Sequence, residues 1–420
     1  MNKVLKNILG LEKDDVFQIY PQTINQDNTI GIMIKKQYQI CPYCKVYDNH
    51  MVSCYNDRLL KMNQLGDYNK LLYRQRRYYC IHCKRTFIEN NNIVSRYNHY
   101  TNNTKKAIKK YFIKTKTNFT DLAREHNLSR QFLMREYDNI KLKDTTKELP
   151  EIISIDEFCF QHKCPKYDFI MLDYCNNKVI NLHRDRRYFS ISEYLAQFSN
   201  EEREKVKIII MDLWKPYTKI TAKFFPNAII IADKFHYSRY INNSLQDLRV
   251  ATYKSSTNKE VKKLLQRNWK LVHKVLSPNS SNDHIELISK IMTNDNIDNN
   301  FKEVLKLYNE FYLSLNNSMD NNEADTFLSR IIERLRQFKN KAVKKALSAF
   351  KNWKDAIINS LKFKDTNGKI YSNGRIEGIN NLVKTLIKNA YGFRRHDRLV
   401  KKVLLAYNYK NETSYNSLLC

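Results

Sequence analysis

The chain has 420 residues, with 73 Lys and Arg against 43 Asp and Glu, and a formal net charge of +30. That excess points to a polyanionic partner, most simply nucleic acid, although a compositional bias toward Lys and Asn would give the same charge without one. No apolar run approaches the ~20 residues of a membrane span, and the seven glycines leave a gap from Gly66 to Gly368 that excludes a P-loop, a dinucleotide fingerprint and a kinase glycine loop.

Residues 1–40 are weakly patterned and carry no functional signal. Their start, MNKVLKNILGLEKDD, has too short an apolar core for a signal peptide, so a cytoplasmic protein without a membrane partner is expected. Its cysteines are then thiols or metal ligands rather than disulfides. Cys41-Pro42-Tyr43-Cys44 is followed after 35 residues by Cys80-Ile81-His82-Cys83. Two such knuckles offer Cys41, Cys44, Cys80 and Cys83 as four thiolates for a tetrahedral, structural Zn²⁺. The gap is wider than usual, and a β-hairpin rich in Arg and Tyr would fill it. Cys54, His50 and His82 are weaker candidates. Residues 101–111 are basic and helical in pattern. The stretch from Asn118 to Leu133 then has the form of a helix-turn-helix. Leu122, Ala123, Leu128, Phe132 and Leu133 would pack between the helices, with Ser129 as N-cap of the second. Arg130, Gln131 and Arg135 would face outward, with side chains suited to base edges in a major groove. An ordinary helical hairpin gives the same pattern.

A polar linker, KLKDTTKELP, leads to the central domain. Residues 151–158 form a first strand. Residues 167–174 and 178–183 form a hairpin, and 190–204 suits a helix. Next come two apolar runs without alternation, Ile208–Met211 and Ala228–Ala232, each ending in an aspartate, Asp212 and Asp233. Such runs are expected as buried parallel strands, here joined by a crossover helix. Asp156 ends a similar run, Ile152-Ile153-Ser154-Ile155. Three meandering strands, a helix, a strand, a helix and a strand match the order of a ribonuclease H-like fold. Residues 240–365 look almost wholly helical, with periodicity in 259–276, 301–315 and 324–361, and read as an all-α insertion. In the final segment, SNGRIEGINNLVKTLIKNAYGFRR, Ile376, Ile379, Val383, Leu386 and Ala390 share a core face. Glu377, Asn381, Lys384 and Lys388 share another, as a metal ligand followed by a phosphate track would; a solvated amphipathic helix has the same spacing.

Carboxylates at the carboxyl ends of buried strands suit divalent metals. Two metals about 3.5–4 Å apart can flank a reacting phosphodiester. Asp156, Asp212 and Glu377 are the candidates to hold them, with Asp233 and His236 as an accessory pair one helical turn apart.

These motifs together resemble the DDE transposases of the bacterial insertion-sequence family called ISL-three. The likeness runs through CPYC and CIHC, NFTDLAREHNLSR, ISIDEF around Asp156, MDLWKPY around Asp212, ADKFHYSR, and NGRIEGINNLVKTLIKNAYGFRR around Glu377. It implies a multidomain α+β chain: a zinc ribbon over 1–95 and a helix-turn-helix over 96–145, then a ribonuclease H-like core. That core would begin at 150–248, be interrupted by the all-α insertion over 249–365, and end in a helix over 366–410 that carries the glutamate. It also implies Mg²⁺ (or Mn²⁺) at Asp156, Asp212 and Glu377, cleavage at terminal inverted repeats of double-stranded DNA, and strand transfer by the freed 3′-hydroxyl. Lys384, Lys388, Arg394 and Arg395 would join Ser129, Arg130, Gln131 and Arg135 in binding DNA. The protein would work at the nucleoid as a homodimer or larger synaptic assembly. Two rival readings are a ribonuclease H-like nuclease or resolvase that cuts without joining, and a DNA-binding regulator with an inactive core.

Overall fold

A computed structural model of the chain describes residues 16–24, 27–65, 68–142, 148–159, 165–315 and 319–410. The chain divides into two compact units. One comprises residues 1–143 and 382–420, the other 144–381. The division falls inside the helix Gly374–Asn389.

In the first unit, β1 (Val16–Ile24) and β2 (Asp27–Ile34) are antiparallel. After the short pair β3 (Gln39–Ile40) and β4 (Tyr47–Asp48) come β5 (Met51–Leu65), β6 (Tyr68–Tyr79) and β7 (Thr86–Ile88). The sheet order is β1-β2-β6-β5, with β7 also on β6. The β5–β6 hairpin occupies the gap between the two cysteine knuckles. The weak patterning of residues 1–40 predicts no element, yet three strands lie there. β2 is flanked on both sides, so Thr29 and Gly31 are buried as well as Ile30, Ile32 and Ile34, and the alternation that marks a half-exposed strand is absent. Within the hairpin, Tyr73, Tyr78 and Arg76 turn inward. The Arg76 guanidinium meets the buried Glu89 carboxylate at 2.8 Å, and the Tyr73 hydroxyl donates to it at 2.8 Å.

The helices Asn102–Ile113, Phe119–Glu125 and Arg130–Asp138 follow. Leu122, Leu128, Phe132 and Leu133 are buried as their spacing requires, and Ala123 packs at the edge of the same cluster. Asn127 takes a left-handed φ of 49° in the turn, and the Ser129 hydroxyl accepts from the Phe132 N–H at 3.2 Å. The helix His396–Asn408 completes this cluster through Leu405. It also supplies donors to carbonyls that the ends of helices leave orphaned. Lys402 Nζ donates to Phe112 O and Lys114 O, each at 2.7 Å, and Lys401 Nζ to Asp138 O at 2.7 Å. Arg398 forks onto the Asp138 carboxylate at 2.8 and 2.6 Å.

In the second unit, β8 (Ile152–Cys159), β9 (Tyr167–Asp173), β10 (Lys178–His183), β11 (Ile208–Met211) and β12 (Ile229–Ala232) form one sheet. Its order is β10-β9-β8-β11-β12. β8–β9 and β9–β10 are antiparallel; β8–β11 and β11–β12 are parallel. The crossover helix is Lys215–Phe224. The helix expected over 190–204 is two, Tyr188–Leu195 and Asn200–Glu204, because Ser199 caps a fresh start by accepting from the Glu202 N–H. Likewise 324–361 is not continuous: Asn340 caps Lys341–Asn352, which follows Asn321–Arg336 and precedes Lys354–Lys362. The expected helix over 259–276 also breaks, at Asn268. Helices from Lys234 to Lys362 share an apolar core with the sheet, including Tyr237, Phe301, Phe311 and Phe350. Among the described residues no helix is long and apolar enough to cross a membrane.

Lys402 tests how much the last helix supports the first unit. Lys402→Met keeps the buried stem and strands two carbonyls, each worth ~1–3 kcal/mol when unpaired in the interior. We expect a loss of at least ~1 kcal/mol in chemical denaturation of the first unit, while an exposed control such as Lys384→Met changes little.

Candidate metal and catalytic sites

The two cysteine knuckles have one backbone form. Cys41 N–H donates to Val46 O and Lys45 N–H to Cys41 O, both at 2.9 Å; Cys80 and Lys84 repeat this with Arg85 O and Cys80 O. Lys45 and Lys84 take the left-handed φ values, 62° and 57°, that close each turn. The result brings four sulfurs together, with Cys41–Cys83 and Cys44–Cys80 Sγ pairs at 3.6 Å. A tetrahedron with Zn–S bonds of ~2.3 Å has edges of ~3.8 Å, so the spacing fits a zinc ribbon. Burial works against ionising Cys41, but N–H groups of Cys44 and Tyr43 outweigh it and hold that thiol below its ordinary range. Burial pushes Cys83 up. A bound cation would therefore have to draw off the protons that burial favours. Cys54 is exposed, His82 pairs with Asp48 at 3.1 Å, and His50 packs edge-on to Phe87; none belongs to the four-sulfur cluster.

The second cluster arises from strand register. In the parallel pairs, Ile208 lies beside Ile152 and Ile229 beside Ile208. Carrying those offsets to the strand ends sets Asp212 beside Asp156 and Asp233 beside Asp212. Three carboxylates thus stand in a row on adjacent strands, at the sheet edge where open α/β proteins bind ligands. Asp233 also begins the helix Lys234–Ser255, which brings His236 back over the row. His236 Nε2 lies 3.0 Å from Asp212 Oδ2 and 3.9 Å from Asp233 Oδ2. Ligand atoms of Asp212, Asp233 and His236 all fall within 4.8 Å of one another.

Asp212 and Asp233 are only 8% and 4% exposed. Burial, with the Asp212 charge next, pushes Asp156 up to about 8. Burial also raises Asp233. For His236 burial opposes the proton, but the hydrogen bond and charge of Asp212 prevail and the group is raised. Each shift marks surplus negative charge in a poorly hydrated place. Hard oxygen donors in that state fit Mg²⁺ or Mn²⁺.

Two asparagines not singled out in the sequence tie the late segment to this row. Asn373, just before the helix Gly374–Asn389, donates its N–H to Asp233 Oδ1 at 3.0 Å. Its amide donates to Ile155 O at 3.1 Å and reaches Asp212 Oδ1 at 3.4 Å. Its Oδ1 accepts from the Ser154 hydroxyl. Asn380 Nδ2 donates to Asp156 Oδ2 at 3.1 Å. Glu377 lies between them at helical spacing, i+4 from Asn373 and i−3 from Asn380; its own side chain is exposed, and neither Glu377 nor Asp156 belongs to the group of ligand atoms that Asp212, Asp233 and His236 bring together. The signal for Asn373 was the Ser-Asn-Gly just before a periodic helix, a local capping pattern. Ile376, Ile379, Val383 and Leu386 form the buried face, while Asn381, Lys384 and Lys388 are exposed.

Ser129, Arg130, Gln131 and Arg135 are exposed on and before the helix Arg130–Asp138. Arg394 is exposed. Arg395 is exposed too, but its guanidinium is engaged by Asp397 and by Asp138 at 3.3 Å.

A family model described as Transposase, for DDE enzymes of the ISL-three type, matches residues 153–403. That is more than half of the chain, and it spans all the carboxylates above. The chain belongs to the ISL-three family of DDE transposases. No curated protein matches it. Membership carries a transposase function in general, with nuclease or transesterase chemistry and DNA as partner.

Two measurements follow from these sites. Folded Asp156 keeps its proton up to about pH 8, whereas the unfolded carboxyl loses it near ~3.9. The folded state then binds more protons across that window, so metal-free stability falls as pH rises from ~4 to ~8. The raised Asp233 adds in the same sense. Asp156→Asn should flatten this slope and raise metal-free stability by ~1–4 kcal/mol at pH 8, read by thermal melts in chelator. Mg²⁺ should stabilise the wild type more at pH 8 than at pH 6. Separately, zinc analysis should return one Zn per chain, and Cys80→Ser should lose it together with the cooperative melting of the first unit.

Proposed function

We propose that this transposase binds the terminal inverted repeats of its element and carries out metal-dependent cleavage and strand transfer at Asp156, Asp212 and Glu377. What carries this reading is the row of carboxylates on parallel strands, where burial and then the Asp212 charge push Asp156 up to about 8, tied to the Glu377 helix by Asn373 and Asn380. The sheet order, antiparallel from β10 through β9 to β8 and parallel from β8 through β11 to β12, supports a ribonuclease H-like core, and the helices over 249–365 would be its insertion.

Asp156 and Asp212 on adjacent strands, with Glu377 on the helix Gly374–Asn389, would hold the divalent cations. Bound there, such cations supply charge neutralisation on the phosphate and activation of the attacking hydroxyl. The chain's own residues do the rest. Asn373 fixes Asp212 and Asp233 relative to β8, and Asn380 fixes Asp156. His236 holds Asp212 through its Nε2, 3.0 Å from Asp212 Oδ2. The helices Phe119–Glu125 and Arg130–Asp138 act as a helix-turn-helix, with Arg130, Gln131 and Arg135 toward base edges. The zinc ribbon and exposed lysines, Lys384 and Lys388 among them, add phosphate contacts that are steeply salt-dependent. Two ends must be handled together, so the working form is a dimer or larger assembly.

The test uses purified protein, Mg²⁺ and labelled DNA carrying the element's end. Wild type should nick at the repeat boundary and then join the freed 3′ end to target. Asp212→Ala should bind equally well and cut at least ~100-fold more slowly, as loss of a metal-holding acid demands. Binding by both proteins without any cutting, in Mg²⁺ or Mn²⁺, would favour the regulator reading instead.

A further inference from the structure

The first unit contains a cavity of ≈ 850 Å³, bounded by the helices Asn102–Ile113, Phe119–Glu125 and Arg130–Asp138 and by the segment from Leu386 to Lys402. Its walls are both basic and aromatic. Five cations line it against one acid, Asp121. Three are already engaged: Arg395 and Arg398 by Asp138, and Lys402 by two main-chain carbonyls. Arg130 and Arg394 are exposed and make no ion pair among the described residues. Beside Arg394, Tyr391 is 95% exposed. Tyr391 and Gly392 take φ values of 54° and 101°, a reversal that sets the tyrosine out on the cavity rim.

The volume lies within the ~300–1,000 Å³ of small-ligand pockets. It admits a nucleotide or two and excludes a duplex. Guanidinium forks match phosphate oxygens, and an open tyrosine face accepts any base. Arg130 is also the first residue of the helix that the proposed reading puts against base edges. We propose that this cavity is a subsite for an unpaired nucleotide of the bound DNA: Arg394 takes its phosphate, and its base stacks on Tyr391. The closing segment of the chain thereby becomes part of the DNA-reading unit. This inference rests on the proposed DNA-end recognition but makes a separate demand, for a single-stranded element.

The experiment uses the full zinc-loaded chain carrying Asp212→Ala, so that DNA stays intact. Fluorescence anisotropy compares a blunt duplex with the same duplex bearing a short single-stranded extension that contains 2-aminopurine. Tyr391→Asn is the stacking variant, because Asn tolerates the left-handed backbone there; Arg394→Ala is the phosphate variant. The extension should tighten binding and its 2-aminopurine should be quenched. Either variant should cost about ten-fold in affinity for the extended DNA; Tyr391→Asn should also relieve the quenching and change blunt-duplex affinity far less. Equal affinity for both DNAs, or equal losses on both with Tyr391→Asn, overturns the subsite and leaves duplex recognition standing. No binding to either DNA overturns both.

Discussion

Like charges held side by side away from water need a counter-charge, and the second unit is built around that demand. The parallel register of β8, β11 and β12 leaves no freedom in where Asp156, Asp212 and Asp233 emerge. Rigid central strands can bear such crowding because their backbone hydrogen bonds and the apolar core beneath them hold the geometry. Asp156 then keeps its proton, His236 is drawn toward its charged form, and Asn373 donates to what remains. A fold optimised only for stability would not retain such a cluster, and the sites that do are functional more often than not.

The late segment gives the cluster its second side. Asn373 bridges Ser154, Ile155, Asp212 and Asp233, so the start of the helix Gly374–Asn389 is pinned to β8 and to the ends of β11 and β12 before Glu377 is reached. Positions separated by more than two hundred residues in sequence thereby share one hydrogen-bonded network. Loop closure of that length is entropically affordable because each doubling costs only ~0.6 kcal/mol, and the helices in between form their own core.

A different economy governs the first unit. Its helices are short, and their carbonyl ends need donors that they cannot supply themselves. Lys401 and Lys402 bring those donors from the other end of the chain. Buried ammonium groups are costly, so their retention here reflects several carbonyls satisfied at once rather than a net gain from charge.

The sequence by itself determined the elements whose signals are local. β-branched runs marked β11 and β12, knuckle spacing marked the four cysteines, and Ser129 marked a helix start. Terminal aspartates on those runs were legible because strand ends in parallel sheets are where ligands sit. Breaks at Ser199 and Asn340 were missed because a capping side chain outweighs an unbroken periodicity only once its backbone donors are in place. β2 was missed because a strand paired on both edges and buried along its length has no alternation to read. Tertiary structure alone decided that Arg76 would be buried against Glu89, that Asn373 and Asn380 would serve the aspartates, and that Arg395 would be spent on Asp138 and Asp397. Each depends on which distant group lies opposite, and neither periodicity nor composition encodes that distance.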